Sequence, residues 1–211
     1  MKSIMVLVTS AVLLVAPMAM QNANAQLEIT LGGGLNTPLN DYGDQINPGY
    51  ALTAGFGYRV IRFAALGVEA SYSGNKASDD ALAHLGDQYE MSASILQYSA
   101  MARLVFPIGN HALFAKGTVG NYRGSAKLSG PLGEGSVTNT EWGYGLGAGF
   151  VIGGKKNTSL FADMTYHQIA YGGESGDVDY LTITVGALIE FDLFKPKTRS
   201  KFQDDLDKLR E

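Results

Sequence analysis

The sequence predicts an all-β fold: an eight-stranded antiparallel up-and-down transmembrane β-barrel, followed by a short C-terminal helical tail. Three observations predict it. Large apolar residues alternate with small or polar ones along most of the chain, the period of a strand. Many of these runs approach the ~10 residues with which a tilted strand crosses a bilayer. The connections between them alternate between short turns and longer, more polar loops. The stretch 141–150, "EWGYGLGAGF", shows the pattern most sharply: Trp142, Tyr144, Leu146, Ala148 and Phe150 alternate with glycine at 143, 145, 147 and 149.

The elements follow in order. Lys2, the apolar run 4–20 and the small-residue site "ANA" at 23–25 have the layout of a secretory signal peptide over residues 1–25. The apolar run is short for a spanning helix. The barrel domain is expected over 26–194. In 50–60, Tyr50, Leu52, Ala54, Phe56, Tyr58 and Val60 alternate with Ala51, Thr53, Gly55, Gly57 and Arg59. In 66–73, Leu66, Val68, Ala70 and Tyr72 alternate with Gly67, Glu69, Ser71 and Ser73. From 181 to 193, Leu181, Ile183, Val185, Ala187, Ile189, Phe191 and Leu193 share one face. Further strands are expected at about 27–36, 91–106, 112–125, 141–152 and 160–171; the phase of 91–106 is ambiguous near Ile95, and 112–125 alternates weakly. Short turns fall near 61–65, 107–111 and 153–159, and long loops near 37–48, 74–90, 126–140 and 172–179. Pro196 ends the last strand, and the charged segment 195–211 reads as a short periplasmic tail: Ser200 and Gln203 can form a capping box, and Phe202, Leu206 and Leu209 share a helical face.

Composition decides which face meets which solvent. Only 17% of residues are charged while 45% are hydrophobic and 27 are glycine, so long disorder is excluded. The non-aromatic face is mostly Gly, Ser, Thr and Ala, which is a poor water-facing surface and a good lining for a narrow barrel. The apolar face therefore meets lipid. Its aromatic girdle is expected at Tyr50, Tyr58, Trp142, Phe150 and Phe191. On the bare face, the glycines at 143, 145, 147 and 149 leave space for long charged side chains from other strands, such as Arg59 or Arg103. Closure is required as well, because unpaired backbone groups in hydrocarbon each cost several kcal/mol. The absence of cysteine rules out disulfides and thiolate metal sites, and a net charge of −4 argues against nucleic-acid binding.

In these features the chain resembles the small outer-membrane β-barrels of Gram-negative bacteria, the OmpA/OmpX-like superfamily. The resemblance rests on the signal peptide, "PLNDYGDQINPGYALTAGFGYRV" (38–60), "GYGLGAGF" (143–150) and the terminal "GALIEFDLF" (186–194). It implies residence in the bacterial outer membrane, contact with its lipids and lipopolysaccharide, and handling by the barrel-assembly machinery. Members often end on the aromatic residue that this machinery reads, whereas here Phe194 is followed by the tail. The tail is too short for the globular peptidoglycan-binding domain of the OmpA type.

The ionisable residues expected in the lumen are Glu28, Arg59, Glu69, Arg103, Lys116, Glu141, Asp163, His167, Glu190 and Asp192. In so narrow a barrel they have to pair. Such a network either fixes register or gates a narrow path. Asp163 and His167 lie four residues apart on one strand, ~13 Å along it, too far for a direct dyad. There is no nucleophile-elbow pattern, and neither glycine-rich stretch has nucleotide-binding spacing. His84 and His111 read as solvated residues without metal-ligand spacing. No catalytic, cofactor or metal site is expected. The outer loops are acidic, with Asp41, Asp44, Asp79, Asp80, Asp87, Glu134, Glu174, Asp177 and Asp179 against Lys76 and Lys127. They could bind a cationic extracellular ligand or share divalent cations with lipopolysaccharide. The leading expectation is a structural or surface-interaction role in adhesion or membrane integrity. The alternatives are a narrow pore for small solutes and, third, a lipid-modifying rim enzyme.

Overall fold

The computed structural model describes residues 26–61, 63–78, 88–131, 133–153, 157–170 and 177–192. The expected signal peptide (1–25) and helical tail (195–211) lie outside the described residues. Eight strands close into one antiparallel barrel in chain order: β1 (Gln26–Pro38), β2 (Gly49–Ile61), β3 (Ala64–Lys76), β4 (Glu90–Ile108), β5 (His111–Gly130), β6 (Gly133–Ile152), β7 (Thr158–Ile169) and β8 (Val178–Asp192). Closure is made by β1 against β8, from Gln26 opposite Asp192 to Pro38 opposite Tyr180. No sheet edge is left within the ring, as hydrocarbon demands.

Burial follows strand parity. On the outward face Leu31, Leu52, Val68, Leu104, Val119, Leu146, Leu160 and Val185 are each more than half exposed. Together they form an apolar band far too continuous for a water-soluble surface. The opposite parity is buried and largely polar, including Thr30, Gln97, Thr118, Thr165 and Thr184. The phase of β4 is settled by Ile95, which is buried in the lumen with Gln97, Ser99, Met101, Arg103 and Val105. The weak alternation of β5 has a plain cause: Phe114 and Tyr122 point inward, so both faces carry large side chains.

One expectation is corrected. Residues 126–140 do not form a long loop. β5 and β6 stay paired without a register shift from His111–Ile152 out to Gly130–Gly133. Gly133, at φ +124°, makes the tight turn between them. β7 pairs with β6 only from Gly143 onward, so the upper half of the hairpin stands beyond the ring. The Ser-, Thr- and Gly-rich composition that suggested a loop is that of a strand whose two faces both meet water.

The first outer connection folds back over the mouth. It contains a one-and-a-half-turn helix, α1 (Asn40–Gln45). Ile46 behind it is only 2% exposed and packs with Ala77 and Ala93, with Tyr42 and Met91 alongside. Asn47 N–H donates to the Lys76 carbonyl and Leu39 N–H to that of Asp179, which tie this segment to β3 and β8.

Candidate functional site

Inside the wall the lumenal side chains stack in three layers from the short-turn end outward. In the first, Arg59 lies 2.5 Å from Glu28 and 2.9 Å from Glu190, and Arg103 lies 3.5 Å from Glu28. Arg59 also donates to the Gln26 side chain at 2.9 Å. Glu28 is fully buried between the two guanidinium groups. Charge and count balance here, two cations with two carboxylates, so the burial cost is offset by pairing, although neither Glu28 oxygen receives a hydrogen bond among the described residues.

The second layer is built on Lys116 of β5. Its ammonium lies 2.8 Å from Asp163 and 3.1 Å from Glu69. All three side chains are buried, and they come from β5, β7 and β3. Arg103 stacks above the Phe114 ring, 5.2 Å from its centroid, and joins this layer to the first. The third layer is aromatic. His167 stacks on Tyr180 with centroids 4.6 Å apart at 12°, and Tyr122 approaches both rings edge-on. The Tyr122 hydroxyl and His167 Nδ1 are 3.2 Å apart, and His167 Nε2 is 3.2 Å from Thr182 Oγ1. Ile95 and Ile169 close the layer on the outer side, with Tyr42 and Val178 packed against them.

The expected lumenal residues thus fall into separate groups. Glu28, Arg59, Arg103 and Glu190 come together, as do Glu69, Lys116 and Asp163. His167 belongs to the aromatic layer and is not beside Asp163. Glu141 has inward parity but is only half-buried and makes no ion pair among the described residues. Asp192 sits at the end of β8 opposite Gln26; its side chain is outside the described set. The space beside the β6 glycines is taken by Thr118, Tyr122, Thr165, His167 and Phe114. It is not taken by Arg59 or Arg103, the long side chains that the sequence suggested as fillers. Tyr122, Tyr180 and Thr182 were not among the expected site residues. The strand parity that placed Thr182 and His167 inward was the available signal.

The girdle residues all have outward parity. Tyr58 and Phe191 both flank Leu27 near the short-turn end, where Phe150 also lies opposite Leu113. Tyr50 and Trp142 lie toward the loop end. Of the acidic loop residues, Asp179 accepts from Asn40 and Asp177 from Gln168. Asp44 and Glu134 are exposed. Asp79, Asp80, Asp87 and Glu174 lie outside the described residues, and so does the side chain of Asp41.

An apolar belt, a closed ring of eight strands and a polar interior define an outer-membrane β-barrel. Residues 8–191 match the model of the outer membrane protein beta-barrel domain, and the chain belongs to that family. Its place is the bacterial outer membrane. Among solved structures it is similar to Neisserial surface protein A, with 16% identity and a TM-score of 0.58 over 80% of this chain and 98% of that one. It is likewise similar to a major outer membrane protein from Thermus thermophilus, with 12% identity and a TM-score of 0.59 over 79% and 99%. A third similar structure is Ail, the attachment invasion locus protein of Yersinia pestis, in complex with the heparin analogue sucrose octasulfate. There the identity is 20% and the TM-score 0.50 over 79% and 99%. Likeness at these identities is one of fold. Comparison with the curated proteins gave no match.

Proposed function

We propose that the protein serves the outer membrane through its wall and its outer surface, as a structural and surface-interaction barrel, and not as an open pore or an enzyme. The filled lumen carries this reading. Between the first two layers, among Thr30, Arg103, Phe114, Lys116 and Asp163, the cavity is about 10 Å³, room for about one water; a recess of about 290 Å³ beside Arg59, Arg103 and Glu190 lies at the short-turn end, on the other side of the first layer. Above it stand the Tyr122–His167–Tyr180 stack and the Ile46 plug. A solute would have to break several buried ion pairs to pass. Enzymatic chemistry finds little support: Asp163 is bound to Lys116, and His167 to Tyr122 and Thr182.

The projecting hairpin supports the surface role. Among the described residues no strand pairs with the second side of 133–141. The Trp142 carbonyl accepts the Ala170 N–H on that side. By alternation, Ser136, Thr138 and Thr140 therefore aim their N–H and C=O groups away from β5, where no described residue pairs with them. Such an edge is a template for strand addition by a partner. Two of the similar structures are named as a surface protein and an attachment invasion protein, in keeping with this reading. Planar-bilayer recording of the refolded full chain tests it. The expected trace shows no discrete steps; reproducible steps that are resized in Lys116→Met would assign the narrow-pore function instead.

A further inference from the structure

The outward face of β2–β5 changes character near the loop end, and the change is ordered by register. One row across the wall reads Lys76, Ser92, Lys127, Ser136. The next row toward the membrane reads Gly74, Ser94, Ser125, Thr138, with Tyr50 opposite Gly74. Below that come Tyr72, Leu96 and Arg123. A groove of about 500 Å³ runs over these rows, between Tyr50, Tyr72, Lys76, Ser94 and Lys127. We propose that this groove binds the phosphorylated headgroup of an outer-leaflet glycolipid, with a phosphate held between Lys76 and Lys127.

Charge and geometry carry the assignment. Both lysines are exposed, and neither makes an ion pair among the described residues. They flank Ser92 on adjacent strands, so their Cα atoms stand two strand spacings apart, about 10 Å. Two ammonium groups on four-carbon stems converge from that distance on one anion. The Ser92 hydroxyl supplies a further donor on the lysine row, and those of Ser94 and Ser125 stand one row nearer the membrane. The floor is aromatic. Tyr50 and Tyr72 are in contact, with centroids 6.1 Å apart. The Tyr50 ring lies so close over Gly74 that a Cβ there would meet it at 2.8 Å. Tyrosine marks the level of the membrane interface. Glu90 and Glu134 occupy the row above the lysines, so the cationic step is bounded by carboxylates outside and by rings inside. Below the rings the same wall carries exposed apolar side chains, through Tyr98, Val68 and Phe56. A headgroup on the lysine row would therefore lay its acyl chains on that surface. This continuity favours a lipid over a soluble anion. The proposal is independent of whether the lumen conducts.

The experiment uses the full mature chain in phosphatidylcholine nanodiscs with a chelator present, which removes bridging by divalent cations. Purified lipopolysaccharide, its dephosphorylated form and inorganic phosphate are compared by the shift they produce in thermal unfolding. The phosphorylated glycolipid should stabilise the native chain at concentrations at least ten-fold lower than the dephosphorylated form. That difference should vanish in Lys76→Gln/Lys127→Gln and persist in Lys76→Arg/Lys127→Arg. Heat-modifiable gel mobility checks that each variant is folded. Equal responses to the two glycolipids by the native chain would overturn the proposal without recourse to any variant. Equal responses by the native chain and the Gln variant would also overturn it. Stabilisation by inorganic phosphate alone would assign the row to a soluble anion, and the glycolipid would be wrong.

Discussion

Substituting leucine at Gly147, at Gly145 and at Ala148 separates the two faces of β6 within four residues. At Gly147 a Cβ would stand 2.5 Å from Thr165 Oγ1, 2.7 Å from the Met164 carbonyl oxygen and 3.1 Å from Thr165 Cα. Two of these three neighbours are β7 backbone, held in the ladder and unable to swing aside. At Gly145 the neighbours are Thr118 Oγ1 at 2.6 Å and His167 Nδ1 at 2.9 Å, the second of which is bonded to Tyr122. Overpacking of this kind costs about 1–3 kcal/mol. Gly147→Leu belongs at or above the top of that range, because backbone must move, and Gly145→Leu within it, because side chains can. Ala148 is exposed on the lipid face. Leucine there adds three carbons to hydrocarbon contact, a gain of up to about 2 kcal/mol at ~0.8 kcal/mol per carbon. The assay is urea-dependent folding into lipid vesicles, read by the fluorescence of Trp142, the sole tryptophan. The expected order of midpoints is Ala148→Leu, then Gly145→Leu, then Gly147→Leu. Equal midpoints for the three, or the lowest for Ala148→Leu, would refute the assignment of faces.

Three further outcomes follow from the same geometry. Lys116→Met leaves Glu69 and Asp163 facing each other without a cation and should cost about 3–5 kcal/mol. Adding Glu69→Gln and Asp163→Asn should recover most of that loss in the same unfolding assay. Tyr122→Phe removes one hydrogen bond to His167 and should cost about 1 kcal/mol; no change would mean that the pair is not formed in the bilayer. On the hairpin, Thr138→Pro removes an N–H that points away from β5 and has no partner among the described residues, and should leave stability nearly unchanged. Val137→Pro removes an N–H aimed at β5 opposite Ala126 and should lower the folding midpoint clearly. The reverse order would contradict the register of β6.

Much of the architecture was legible because a lipid-facing strand has few choices. The alternation in 50–60, 66–73 and 181–193 gave both the strands and their faces, and these strands pair in the register that alternation requires, apart from a shift between Arg59 and Ile61 at the end of β2. The hairpin was missed for a physical reason. Once β5 and β6 leave the membrane, both faces meet water, and the two-residue signal disappears although the ladder continues. The ambiguity at Ile95 has a related origin: a plugged lumen has apolar content of its own, so Ile95, Tyr122, Ile169 and Tyr180 break the rule that large apolar residues point out. That lumenal charges pair was predictable from burial cost. Which ones pair was not, because Lys116 reaches Glu69 and Asp163 across the lumen, and such partners depend on the closure of the ring.

The central claim is that each strand separates lipid from an interior packed with side chains. Because the chain has no cysteine, single thiols can be placed at will. Thr118, Thr165 and Thr184 are buried in the lumen, while Leu146 faces lipid and Ser136 stands on the hairpin. In folded protein in vesicles, a membrane-impermeant, water-soluble maleimide should label Ser136→Cys rapidly. It should leave Thr118→Cys, Thr165→Cys and Thr184→Cys unlabelled, with Leu146→Cys reached only by a lipid-soluble reagent. Labelling of the three lumenal positions at the rate of Ser136→Cys would reveal a water-filled channel and contradict the account.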